Sequence, residues 1–231
     1  MLEWLPPSSS APALVAADGT VTTYADLAAE IVALSEWLQG FVAPRQVVAV
    51  AAGNGPEAVP VILGTANACV CAPLPSGRTV QEQVDELRAV GASALLTLDG
   101  DSEAAHRLGI PVLSPGHSCP PVTGPHCRVP DTALLVRTSG STGAGKLVPL
   151  TGPGLLHAAS LVATTLGLSA ADRGLNALPL HHTHGLVGAV MSSLTAGASV
   201  ICLPKYTDDG MTDAFGLDPT WYTAVPATRA W

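Results

Sequence analysis

The stretch that most constrains this chain runs from Asp131 to Thr151, DTALLVRTSGSTGAGKLVPLT. An apolar, β-favouring run, Thr132 to Val136, leads into a stretch made almost wholly of Gly, Ser and Thr. Lys146 closes that stretch, and a helix-permissive segment follows. Gly140, Gly143 and Gly145 lack a Cβ, so the backbone can turn sharply and bring its N–H groups against an anion. Ser139, Ser141 and Thr142 add hydroxyl donors, and Lys146 adds a compact positive charge on a flexible stem. Such a density of donors suits a ligand rich in negative oxygens, of which a nucleoside triphosphate is the common case.

Two motif readings compete for this loop. As a Walker loop, Gly140 to Lys146 fits G-x-x-x-x-G-K, but Leu147 stands where a Mg²⁺-ligating hydroxyl belongs. The alternative is that TSGSTGAGKLV resembles the signature of the adenylate-forming enzymes: acyl-CoA synthetases, luciferases and peptide-synthetase adenylation domains. That signature usually reads TSGSTGxPKGV, so Gly145 and Leu147 depart from it. An ordinary Gly/Ser surface loop would need neither a strand before it nor a lysine at its end.

An apolar fraction of 48% in 231 residues supports a substantial core. Ten Lys and Arg scattered along a chain of net charge -8 make no basic stripe, which argues against a nucleic-acid partner. The segment MLEWLPPSSS has neither the basic start nor the apolar core of a signal peptide, so a cytoplasmic protein is expected. The longest apolar runs are broken by polar residues, glycines and prolines, and no membrane span is expected. Five cysteines without a secretory signal read as reduced thiols. A zinc site from His117, Cys119, His126 and Cys127 would lack a C-x-x-C pair and would lie in a proline-rich segment, so no metal site is assigned.

Local patterns predict strands alternating with helices. Tyr24, Leu27, Ile31, Leu34 and Leu38 recur at helical spacing over Thr23 to Gln39, with Thr23 as N-cap and Asp26 three residues on. Val47 to Ala51 reads as a buried strand, Asn54 and Gly55 as a turn, and Glu57 to Ala68 as a helix with Pro60 in its first turn. Cys69 to Leu74 is a strand, and Thr79 with Glu82 forms a capping box for a helix that Gly91 ends. Ser93 to Leu98, Ile110 to Leu113, Leu175 to Leu180, Ala198 to Leu203 and Thr220 to Val225 complete the strands. Helices are expected at Asp101 to Leu108, from Pro153 to about Leu166, and in the alternation at Gly185 to Ala196 and Met211 to Phe215. The result is an α/β fold of mostly parallel sheets flanked by helices. Residues 114–130 contain five prolines and two glycines and are expected to link a subdomain at 1–113 to a second at 131–231. The second subdomain is expected to be truncated, since the chain stops at Trp231 without a helix-stop signal.

A second cluster lies in ALPLHHTHGLVGAVMSSLTAGASVICLPK, Ala177 to Lys205, where His181, His182 and His184 crowd the end of a predicted strand. As metal ligands they fit poorly, because adjacent strand residues point to opposite faces. They also fit core or capping histidines, or the wall of a substrate pocket. The segment PLHHTHG resembles the second signature of acyl-CoA synthetases and luciferases, and WYTAVP resembles their next strand. TYADLAAEIVALSEWL and APLPSGRTVQEQVDEL are similar to their N-terminal helices, so the likeness covers nearly all of the chain. Within the family, LPLHHTHGLVGAVMSSLTAGASV is similar to the branch that activates small carboxylic acids, oxalate-CoA ligase among them.

The resemblance implies the N-terminal part of an acyl-CoA synthetase-like fold and a two-step reaction. A carboxylate attacks the α-phosphorus of ATP with Mg²⁺ present, pyrophosphate leaves, and a thiol, usually coenzyme A, takes the acyl group. It further implies that Thr138, Ser139, Gly140, Ser141, Thr142, Gly143 and Lys146 hold the β- and γ-phosphates. His182 matches the catalytic histidine bordering the acyl pocket, with His181 and Gly185 beside it. The peptide-synthetase branch places an aspartate near this cluster to hold an amino group, and none stands here, so a plain carboxylic acid is expected. Full-length relatives carry further catalytic parts, so an N-terminal portion active with a missing C-terminal portion is expected. Two alternatives are a non-catalytic truncated paralogue acting as a binding module, and a Walker-type NTPase.

Overall fold

A computed structural model describes Leu5, residues 9–138 and residues 145–225. The described residues divide into two compact units that interleave along the chain. One comprises residues 30–53 and 60–152; the other comprises residues up to 29, 54–59 and those from 153 onward.

The first unit is built on a six-stranded sheet. Its strands are β3 (Val47–Ala51), β4 (Val70–Pro73), β5 (Ala94–Thr97), β6 (Val112–Leu113), β7 (Thr132–Arg137) and β8 (Leu147–Thr151), in the order β6-β5-β3-β4-β7-β8. All neighbours are parallel except β7 and β8. Because successive strand residues alternate faces, Val47, Ala49, Val70, Ala72, Leu95 and Leu135 form one apolar face. Val84, Leu87 and Val90 of helix α3 (Val80–Val90) and Ala104 and Ala105 of α4 (Glu103–Leu108) pack with that face. Helix α3 starts at a true capping box: Glu82 N–H donates to Thr79 Oγ1 at 3.3 Å, and Thr79 N–H donates to the Glu82 carboxylate at 2.8 Å. Gly91 ends it in the left-handed conformation at φ 64°.

Two long helices also contribute to this unit, α1 (Tyr24–Gln39) and α2 (Ala58–Ala68). Gly64 of α2 lies so close to α1 that a Cβ there would stand 3.1 Å from the Ile31 carbonyl oxygen. The Asn67 amide donates to Ser35 Oγ at 2.9 Å along the same seam.

The proline-rich segment 114–130 lies within this unit and is tied to it. Val122 N–H donates to Phe41 O at 2.7 Å and Cys127 N–H to Arg45 O at 2.7 Å, while the buried Gln46 amide donates to Val122 O at 3.0 Å. The sequence reading divides the chain once at this segment; the sheets divide it differently, because β7 and β8 beyond the segment join β4.

The second unit holds a five-stranded sheet of β1 (Pro12–Val15), β2 (Val21–Thr23), β9 (Arg173–Asn176), β10 (Ser199–Cys202) and β11 (Trp221–Thr223), in the order β11-β9-β10-β1-β2. Only β1 and β2 are antiparallel, joined by a turn in which Gly19 takes φ 84° and Asp18 accepts the Thr20 N–H. The sequence reading contains neither strand. Val15, Leu175, Ile201 and Leu203 pack with Met211 and Ala214 of α7 (Asp208–Phe215). Helix α5 (Gly152–Leu166) carries Pro153 in its first turn.

Between β9 and β10 the chain forms a π-helical segment, His184–Met191, that runs into the one-turn helix α6 (Ser192–Thr195). At the change of register the buried Ser192 and Ser193 hydroxyls donate to Gly188 O at 2.7 Å and Ala189 O at 2.9 Å. Tyr24, fully buried, places its hydroxyl 2.7 Å from Ala198 O just beyond that helix.

Candidate functional site

In the six-stranded unit, β7 carries buried residues from Thr132 to Val136 and then reaches Thr138. Thr138 N–H donates to Lys146 O at 3.0 Å, and Lys146 N–H donates to Thr138 Oγ1 at 3.2 Å. These bonds close the neck of the loop. Ser139, Gly140, Ser141, Thr142 and Gly143, the remaining expected phosphate-holding positions, lie outside the described residues. At Gly145 a Cβ would stand 2.1 Å from Thr138 O, so no larger residue fits the neck as it is closed here. Lys146 is exposed, and the ion pair beside it, Arg137 to Glu86 at 2.8 Å, uses Arg137 instead.

The segment after the lysine settles the choice between motifs. The sequence reads it as helix-permissive, and a Walker loop would open a helix there, with the helix N-terminus facing the phosphates. Instead Leu147–Thr151 is strand β8, antiparallel to β7, with Arg137 opposite Leu147 and Thr132 opposite Thr151. Pro149 is compatible with this strand because β8 is at the edge of the sheet. With β8 returning antiparallel to β7, the segment after Lys146 lacks the helix that a Walker-type NTPase needs there.

The five-stranded unit holds the histidines. The sequence predicts a strand to Leu180, but β9 stops at Asn176 because that buried side chain turns onto its own backbone. Asn176 Oδ1 accepts the Leu178 N–H and Asn176 Nδ2 donates to Leu178 O, both at 3.1 Å. Residues 179–182 therefore form a turn, in which His182 N–H donates to Pro179 O at 3.1 Å. The argument that adjacent histidines must point to opposite faces fails in a turn: the His181 and His182 rings have centroids 4.1 Å apart. His182 is exposed, yet burial on its inner side holds its pKa below the ordinary imidazole value. His184 has a different role, with Nε2 2.6 Å from Thr223 Oγ1, tying the start of the π-helical segment to β11.

Gly185 is buried against the strand end. A Cβ there would stand 2.5 Å from Pro179 O and 2.9 Å from Leu178 O. The structure thus brings His181, His182 and Gly185 together in one unit, and Thr138 and Lys146 together in the other. Asn54, read from sequence only as a turn residue, proves to be part of the histidine turn's support. Its Nδ2 donates to Leu178 O at 3.1 Å and to Leu203 O at 3.2 Å, and its Oδ1 accepts the Leu180 N–H.

Among the described residues no group of three or more His, Cys, Asp or Glu could hold a metal ion. No helix among them is long and apolar enough to cross a membrane. All five cysteines are free thiols, and burial pushes those of Cys69 and Cys202 up to about 12.

Comparison with known proteins agrees with this fold. The oxalate–CoA ligase of Arabidopsis thaliana is 40% identical over 100 residues, covering 42% of this chain and 19% of that protein. The sulfoacetate–CoA ligase of Cupriavidus necator is 32% identical over 206 residues, covering 80% of this chain and 40% of that protein. The chain thus spans well under half the length of these relatives. Among solved structures, the o-succinylbenzoate CoA synthetase of Bacillus subtilis with its acyl-adenylate intermediate superposes with TM-score 0.81 at 23% identity, covering 99% of this chain and 63% of that one. At that identity the likeness speaks for the fold. ATP-bound MatB from Rhodopseudomonas palustris gives TM-score 0.77 at 26% identity, covering 96% of this chain and 47% of that one. The sequence profile of the AMP-binding enzymes matches residues 4–229, and with the hairpin neck, the histidine turn and the two mostly parallel sheets in place, this chain belongs to that family.

Proposed function

We propose that this chain takes part in the ATP-dependent activation of a small carboxylic acid, forming an acyl adenylate that is passed to a thiol, coenzyme A in the first instance. The observation that carries the reading is the closed neck between Thr138 and Lys146. It draws together the two ends of the Gly/Ser/Thr stretch and leaves Lys146 exposed at one of them. In this reading Thr138, Ser139, Gly140, Ser141, Thr142, Gly143 and Lys146 hold the β- and γ-phosphates. Lys146 offsets the charge that collects on the departing pyrophosphate. ATP supplies the electrophilic α-phosphorus and the leaving group, and Mg²⁺ would come with it and neutralise part of the phosphate charge beside Lys146.

His182 lines the acyl pocket, with His181 and Gly185 shaping the turn beneath it. Its lowered pKa keeps the imidazole neutral near pH 7, so its ring can border a bound acid by shape and a single hydrogen bond. The stretch from Ala177 to Lys205 contains no aspartate or glutamate, which supports a plain acid over an amino acid. The relatives are longer, and the reading assigns full turnover to a form that includes their additional length. Five free thiols support a reducing, cytoplasmic setting.

The test is nuclear magnetic resonance of the His182 ring during titration with oxalate, malonate and glycine in the presence of Mg·ATP. A saturable shift with the diacids and none with glycine supports the reading. No response to any acid, or a response only to glycine, contradicts it.

A further inference from the structure

Asn54 lies in the connection between β3 and α2, far in sequence from every group its side chain bonds. The partners are 124, 126 and 149 positions away. Its carboxamide has two N–H donors and one acceptor oxygen to place, and the structure satisfies all three with main-chain groups. Two carbonyls face Nδ2 and one N–H faces Oδ1, so only one orientation of the amide fits.

Those three groups are not scattered. Leu178 and Leu180 flank Pro179, whose carbonyl accepts the His182 N–H, and Leu203 directly follows β10. Leu203 N–H in turn donates to Asn176 O at 3.0 Å, so the ends of β9 and β10 are joined by backbone and by Asn54 together. The entry to the histidine turn is therefore clamped from two sides, by Asn176 from its own strand and by Asn54 from a separate loop. Its exit is fixed by Gly185 lying on the Leu178 and Pro179 carbonyls and by Leu186 N–H donating to His182 O at 3.0 Å. Leu178 and Leu180 are buried at 4% and 1% exposure, while His182 is left on the outer side of the turn.

We infer that Asn54 is a positioning residue for His182, acting through the Leu178–Leu180 backbone to hold the imidazole in its place. The geometry stands by itself; its consequence for acid binding rests on the assignment of His182 to the acyl pocket. Deleting the amide takes from the Leu203 carbonyl and the Leu180 N–H the side-chain partner they have here and leaves Leu178 O to Asn176 alone, so the turn regains the freedom that the clamp removes. Substitution by aspartate keeps the acceptor for Leu180 N–H but sets a carboxylate against two carbonyl oxygens, so a residue of equal size fails to substitute.

The experiment is an NMR titration of the His182 ring without ligand in the wild-type chain, Asn54→Ala and Asn54→Asp, with His106 and His157 as internal references. The expected result is a His182 pKa that moves up toward that of a solvated imidazole in both variants, with the two reference rings unchanged. In the same samples, the oxalate or malonate response at His182 weakens by at least about threefold while the affinity for Mg·ATP stays within about twofold. A His182 titration unchanged in folded Asn54→Ala overturns the inference.

A measurement on the wild type covers the case in which neither variant folds. The Leu180 amide and both Asn54 side-chain N–H protons must exchange slowly with solvent, and exchange at the rate of free amides overturns the inference. A His182 titration that moves up in the variants, in a protein whose wild type responds to no acid, supports the positioning role and contradicts the pocket assignment alone.

Discussion

The turn that carries the histidines makes a quantitative prediction about two glycines three residues apart. In Gly185→Ala the new methyl carbon would stand 2.5 Å from Pro179 O. A weak C–H···O approach needs roughly 3.3 Å, so something must move by about 0.8 Å. The obstructing atoms are the backbone carbonyls of Pro179 and Leu178, which have no rotamer to escape into. Pro179 O also accepts the His182 N–H, and Leu178 O is held by both Asn54 and Asn176, so the displacement strains the whole turn. Overpacking of this kind costs about 1–3 kcal/mol, and two immovable carbonyls place this case near 3 kcal/mol. Gly188→Ala is the control within the same π-helical segment. There the methyl would meet only the His184 ring edge at 3.2 Å, a side-chain contact. Its cost is expected to be below about 1 kcal/mol, with the helix propensity of alanine acting in its favour. Urea unfolding followed by circular dichroism gives both values. Equal stabilities for the two variants, or a Gly185→Ala chain within about 0.5 kcal/mol of wild type, would refute the reasoning.

Tyr24→Phe removes the hydroxyl that reaches Ala198 O and is expected to cost about 1–2 kcal/mol near neutral pH by the same unfolding measurement. Burial raises the Tyr24 pKa in the folded chain, so the unfolded phenol ionises first. Stability from this group is full below about pH 10 and falls as pH rises beyond it, and Tyr24→Phe should show a shallower alkaline loss. Thr79→Ala opens the capping box of α3 and is expected to cost about 1 kcal/mol, with hydrogen exchange accelerated in the first turn of that helix before any other.

What the sequence discloses is what is decided locally. The capping boxes at Thr23 and Thr79 and the left-handed stop at Gly91 depend on atoms within a few residues, and the structure contains each of them. Val47–Ala51 is legible because an apolar β-branched run has few other uses. Pairing across the chain is not legible in this way. β1 and β2 are only four and three residues long and owe their place to β10, some 185 residues away, although the Asp18-Gly19 turn between them is a hairpin signal. β8 looks helix-permissive because its strand character comes from β7 opposite it, not from its own composition. The histidines illustrate the same limit: Asn176 ends β9 early, and what reads as a strand with alternating rings becomes a turn with adjacent ones. Asn54 reads locally as no more than a turn residue, because every partner of its side chain lies in another part of the sequence.

The central claim is that the loop closed by Thr138 and Lys146 grips the phosphates of ATP. Calorimetric titration of Mg·ATP into the wild-type chain and into Lys146→Ala, with both folds checked by circular dichroism, tests it most directly. Loss of one charge-assisted contact to phosphate is expected to weaken binding at least about tenfold. Equal affinity for Mg·ATP in two equally folded proteins would contradict the claim.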